Sequence, residues 1–138
     1  MIYTRRETLV LGAGGLALLA ASPAFSATSE EAIAAFTGGA DVGEGGVEIG
    51  APEIAENGNV VPIEVSAPGA EEIMVLATGN PSPPVCRVQF GPGAGSQRIS
   101  TRIRLAKTQD VLAMARMPDG SFVQATRTVK VTIGGCGG

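Results

Sequence analysis

Apolar and polar positions along the chain follow two periods. Thr28-Ser29-Glu30-Glu31 followed by Ala32-Ile33-Ala34-Ala35-Phe36 has the form of a capping box opening a helix. Thr28 can accept from an amide three residues on, while Glu31 reaches back. Ile33 and Phe36 are three apart and share one face, and Gly38-Gly39 stop the helix. From about residue 42 the period becomes two, as a half-buried strand requires. Val47 and Ile49 alternate with polar or small neighbours, Val60 to Val65 and Ile73 to Ala77 read as strands, and Cys86, Val88 and Phe90 alternate cleanly. Ile99, Ile103 and Leu105 fall on one face with Arg102 and Arg104 on the other. Val111 to Met117 is the next strand. The last runs from about Phe122 to Ile133, with Val123, Ala125, Val129, Val131 and Ile133 in one parity and Gln124, Thr126, Thr128, Lys130 and Thr132 in the other.

The breaks between these runs have their own chemistry. Glu56-Asn57-Gly58-Asn59 reads as a hairpin turn, because Asn-Gly tolerates positive φ. Pro68-Gly69 and Pro118-Asp119-Gly120 are turns with φ preset by proline. Gly79-Asn80-Pro81-Ser82-Pro83-Pro84 is a loop, since three prolines remove ladder donors, and the glycine-rich stretch from Gly91 to Ser96 is another. About seven short strands at this spacing predict a mainly β protein, an immunoglobulin-like antiparallel β-sandwich with one short N-terminal helix. Its core is built from Val, Ile, Leu and Ala.

The stretch before Thr28 has a different character. A basic start with Arg5-Arg6, an apolar run from Leu9 through Ala21 and the small-residue segment Ser22 to Ala27 read as an export signal, cleaved between Ser26 and Ala27. The apolar run is short for a membrane span, which needs about 20 residues. Two adjacent arginines in Thr4 to Gly12 resemble a twin-arginine signal, although Thr8 stands where an aromatic is usual. That route exports folded proteins, which points to assembly with a partner before export. The expected division is a signal over 1–26, a sandwich domain over 27–133 and a terminal arm over 134–138.

Composition narrows the chemistry. The 112 residues after the signal hold 8 basic and 12 acidic side chains, a formal charge of −4. A mildly acidic domain with few aromatics is a poor match for nucleic acid or an anionic membrane. There is no histidine, so the commonest general base and metal ligand are missing. Glu30-Glu31 belong to the helix start, and Glu71-Glu72 beside the Pro68-Gly69 turn read as turn and solubility residues. No carboxylate pair suggests a hydrolase, and no glycine-rich stretch is followed by the Lys-Ser/Thr or helix start of a phosphate loop. No catalytic residue, metal site or cofactor is therefore expected.

Two cysteines remain. Cys86 lies in phase with Val88 and Phe90 and reads as a small buried residue. Cys136 stands between two glycine pairs, Gly134-Gly135 and Gly137-Gly138, at the end of the chain. Five extended residues reach at most about 16–18 Å. A backbone without side chains is thin enough for a narrow channel and pliable enough to visit several partners. This is the geometry of a carrier arm with the thiol as attachment point. Nothing nearby lowers its pKa, so activation falls to a partner. In an exported protein a Cys86–Cys136 disulfide competes with this reading, and so does a resting Cys136–Cys136 dimer. Sulfur loading on the terminal Gly137-Gly138 carboxylate, as in ubiquitin-like carriers, conflicts with an export signal.

The ending Val129 to Gly138, with the upstream Ile99 to Gln109 and Met117 to Phe122, resembles the SoxY family of sulfur carriers, and the resemblance spans the mature chain. It implies the sandwich fold, a periplasmic heterodimer with SoxZ, and no enzymatic activity of its own. It further implies that Cys136 is loaded with thiosulfate-derived sulfur by the cytochrome complex SoxAX, relieved of sulfate by the hydrolase SoxB and oxidised by SoxCD. Cys86 departs from the family pattern, which generally has another residue after the proline-rich loop.

Overall fold

The computed structural model describes residues 28–134. The predicted signal over 1–26 and the residues from Gly135 to Gly138 lie outside them. Helix α1 (Ser29–Thr37) starts where its capping box demands: the Thr28 side chain accepts from the Glu31 amide at 3.2 Å, and the Glu31 carboxylate accepts from the Thr28 amide at 3.0 Å. Gly38, at φ 64°, closes it in the left-handed conformation that a residue with a Cβ resists.

Nine strands follow among the described residues: β1 (Val42–Glu44), β2 (Glu48–Gly50), β3 (Ile54–Ala55), β4 (Val61–Ser66), β5 (Glu72–Ala77), β6 (Pro84–Gln89), β7 (Arg98–Ile103), β8 (Gln109–Arg116) and β9 (Phe122–Val131). The larger sheet has the order β1-β9-β8-β5-β6, with β3 also on β9; the smaller has the order β2-β4-β7. Most pairings are antiparallel, as the pattern predicts. The exceptions are β1 and β3, which the alternation does not reveal. Both run parallel to β9 along the edge that β8 leaves open, β1 beside Phe122–Gln124 and β3 beside Lys130 and Val131.

Between the two sheets lies a core of Val61, Ile63, Val65, Ile73, Val75, Ile103, Leu105, Val111, Ala113 and Val129, all aliphatic as expected. A fully buried side chain of this size contributes about 1.5–3 kcal/mol. The opposite face of the larger sheet packs against α1 through Phe36, Met74, Leu76, Leu112, Met114 and Phe122. Residues of β5 are therefore buried on both sides, which is why Ile73 to Ala77 is an unbroken apolar run after Glu72. Phe36 and Phe122 meet edge to face at 5.5 Å, and the Arg87 guanidinium lies 5.1 Å above the Phe36 ring.

Two readings of the pattern need correction. Asn57-Gly58 does form a turn, in which Asn59 donates to the Asn57 side chain at 3.0 Å, but it joins no hairpin. The flanking strands β3 and β4 belong to different sheets. Glu72 is not a solvated turn residue. It is 2 % exposed, and its carboxylate is held by Arg87 and by Arg116 at 3.3 Å. A carboxylate in that position is stable only because two guanidinium groups replace the lost water.

Candidate functional site

The candidate arm starts where β9 stops. The Val131 amide donates to Thr108 Oγ1 at 2.9 Å. Beyond the strand, the Thr132 amide donates to the Ala55 carbonyl at 3.0 Å, and Thr132 Oγ1 donates to the Glu56 carbonyl at 3.0 Å. The Ile133 carbonyl accepts from the Gly58 amide at 2.7 Å. The turn mistaken for a hairpin is thus the device that fixes the end of the last strand. Gly58 also accepts from the Leu105 amide at 2.7 Å, tying the same point to the segment after β7.

Gly134 sits directly on that segment. A Cβ built on it would overlap the carbonyl oxygen of Ala106 and stand 3.3 Å from the carbonyl carbon. The neighbour is backbone and has no rotamer to yield, so only glycine fits. This assigns Gly134 a packing role beside the thinness read from the sequence. Gly135, Cys136, Gly137 and Gly138 lie outside the described residues.

Ala106 is itself held from beneath. Its amide donates to Asn80 Oδ1 at 2.9 Å, and Asn80 Nδ2 donates to the Arg104 carbonyl at 2.8 Å. Gln109 Nε2 donates to Asn80 Oδ1 at 2.7 Å and to the Lys107 carbonyl at 3.0 Å. Gln109 Oε1 accepts from the Gly79 amide at 2.9 Å. Asn80 and Gln109 are both buried, and no buried side-chain polar atom among the described residues lacks a partner. The proline-rich stretch reads from sequence only as a loop. Its signal of more is the Asn80 carboxamide, which can donate and accept at once, a form it shares with the Ser82 hydroxyl.

Ile133 is exposed, as are Ile54 in β3 and Val60 after the Asn57 turn, so the large apolar side chains left in water among the described residues are on the elements around the strand end. Arg102 projects from the polar side of β7, while Arg104 lies past its end.

Cys86 is on β6 opposite Val75, half-buried, in contact with the aliphatic core, and carries a free thiol. Burial pushes that thiol up from its ordinary pKa, so less thiolate is present at neutral pH. Its strand is three positions from β9 across the sheet, roughly 14 Å by strand spacing. Among the described residues no group of His, Cys, Asp or Glu is arranged to hold a metal. Open clefts among the described residues include one of about 580 Å³ beside Phe90 and Arg116 and one of about 520 Å³ beside Thr28 and Asn80. In the second, Thr28, Ser29 and Glu30 belong to the start of α1. No helix among the described residues is long and apolar enough to cross a membrane.

Comparison with known proteins agrees with this geometry. Residues 33–136 match the family described as sulfur oxidation protein SoxY. The solved sulfur carrier protein SoxY from Chlorobium limicola f thiosulfatophilum is 38% identical, with a TM-score of 0.67 over 75% of this chain and 96% of that one. A superoxide reductase (neelaredoxin) from Ignicoccus hospitalis is 22% identical, with a TM-score of 0.55 over 63% of this chain and 80% of that one. A putative superoxide reductase from Thermotoga maritima is 19% identical, with a TM-score of 0.51 over 62% and 84%. At those identities the reductases share the fold alone. Comparison with curated proteins gives no match.

Proposed function

The chain belongs to the SoxY family of sulfur oxidation proteins, and from that premise we propose that it holds sulfur intermediates covalently on Cys136 and presents them to partner enzymes. One observation carries this reading: the family match runs to Cys136 itself, five residues past the end of β9, where Thr132 and Ile133 are held by Ala55, Glu56 and Gly58. A firm base followed by a short glycine-flanked thiol suits a group that is handed between active sites.

Loading joins the Cys136 sulfur to the outer sulfur of thiosulfate. One S–S bond forms, the thiol proton leaves, and two electrons pass to an oxidant, which the family implies is the c-type cytochrome complex SoxAX. Hydrolysis then adds water across the sulfur–sulfonate bond. Sulfate and protons leave, and a persulfide remains on Cys136 for oxidation. SoxB and SoxCD are the proposed agents of these steps, and SoxZ the proposed companion chain, in the periplasm after twin-arginine export. The chain contributes attachment and reach, and the partners contribute the chemistry. A Cys86–Cys136 staple is the competing reading, and a peptide map under non-reducing conditions that links the two cysteines would establish it instead. Peptide mapping of the mature protein after thiosulfate and the oxidising cytochrome tests the proposal: the adduct is expected on the C-terminal peptide, and an adduct confined to the Cys86 peptide refutes it.

A further inference from the structure

The carrier reading names a thiol, and the root from which its arm extends is a separate matter. Two glycines precede Cys136, and a thin arm would use them alike. The geometry separates them. Gly134 is packed against peptide backbone, with no room for even a methyl group. The residue before it, Ile133, is held by the Gly58 amide, and Gly58 is in turn held by Leu105, the neighbour of Ala106. These contacts close a ring: Ile133 to Gly58, Gly58 to Leu105, and Ala106 back to Gly134.

We propose that Gly134 is the fixed pivot of the carrier arm, seated on the backbone of Ala106, and that Asn80 is a positioning residue acting through Ala106. The inference rests on the carrier reading of Cys136. Asn80 bridges the amide of Ala106 and the carbonyl of Arg104, so it sets the course of the segment on which Gly134 rests. Gln109 locks Asn80 from behind. From a pivot at Gly134, Cys136 has two residues of reach, roughly 7 Å between Cα atoms, against about 16–18 Å from Val131. A short radius from a fixed point delivers the thiol to one place with little loss of entropy, which is what an enzyme channel needs from an incoming substrate.

The test compares Gly134→Ala, Gly135→Ala and Asn80→Ala, with Cys136→Ser as the control for loading. Three readouts are taken on the complex with its companion chain: thiosulfate loading by the oxidising cytochrome, alkylation of Cys136 by iodoacetamide, and hydrogen exchange of the Gly58 amide. Gly134→Ala is expected to lower loading kcat/KM by about tenfold or more, since small misplacements can cost up to about a hundredfold. Gly58 exchange should rise and alkylation should stay within about twofold, because the thiol itself is unaltered. Gly135→Ala should leave Gly58 exchange unchanged and cost loading about threefold or less. Asn80→Ala should lower loading in the same direction, and the double variant with Gly134→Ala should be no worse than Gly134→Ala alone. Equal effects of Gly134→Ala and Gly135→Ala, with Gly58 exchange unchanged in both, overturn the pivot. Thiosulfate retained by Cys136→Ser overturns the carrier reading instead, and the Gly58 exchange data still judge the pivot.

Discussion

The Gly58 amide donates to the Ile133 carbonyl at 2.7 Å, joining a turn between the two sheets to the last residue before Gly134. The bond lies beyond the final strand, so strand pairing alone does not require it. Its removal should loosen the root of the arm while the sandwich stays folded. Gly58→Pro deletes the donor. It should cost about 1–3 kcal/mol in denaturant unfolding and speed exchange of the Thr132 amide. An unchanged midpoint and unchanged Thr132 protection would show that the bond does not hold the root.

Cys86 should behave as a structural thiol. Its thiol is the favoured form in the folded state, because burial raises its pKa. Alkylation of native protein at pH 7 should therefore be slow at Cys86 and should rise only at pH above the range of an ordinary thiol. The same shift makes a stability contribution that is fully present below the unfolded thiol's pKa and is lost as pH rises toward the folded value. Cys86→Ala should leave sulfur loading within about twofold of wild type, since the thiolate is the reacting form and little is present at this site. Fast modification of Cys86 at neutral pH contradicts this account.

Glu72 depends on two arginines at once. Arg116→Ala removes one, leaving Arg87 on the buried carboxylate, and should cost about 1–2 kcal/mol. Removing both arginines strands a buried charge and should cost about 3–5 kcal/mol. Urea unfolding of the two single variants and the double variant gives the coupling. Simple additivity of two small costs would mean that the carboxylate reaches water another way.

What the sequence revealed follows from how local each feature is. The capping box of α1 depends on residues three apart, and Thr28 with Glu31 was readable to the residue. The long alternating strands and the aliphatic core were readable for the same reason. The burial of Glu72 is not legible in the sequence because its partners, Arg87 and Arg116, come from other strands. Asn57-Gly58 kept its turn but not its hairpin, since pairing of β3 with β9 and β4 with β7 is decided by non-local contacts. The expected attachment point, Cys136, lies outside the described residues. Gly134 looked like any arm glycine because the carbonyl that excludes a side chain belongs to distant Ala106.

The cap itself can be tested cheaply. Thr28→Ala removes the acceptor for the Glu31 amide and should cost about 1 kcal/mol. Thermal unfolding of the mature protein followed by circular dichroism measures it, and Thr28→Ser should restore most of the loss. A Thr28→Ala protein as stable as wild type would mean that α1 is held by Phe36 packing alone.

The central claim is that one thiol carries the sulfur. Radiolabelled thiosulfate, incubated with the oxidising cytochrome and the mature protein paired with its companion chain, reads it directly. Wild type and Cys86→Ala should each retain close to one label per chain, released by reductant, and Cys136→Ser should retain none. Label persisting on Cys136→Ser, or lost from Cys86→Ala, would contradict the account.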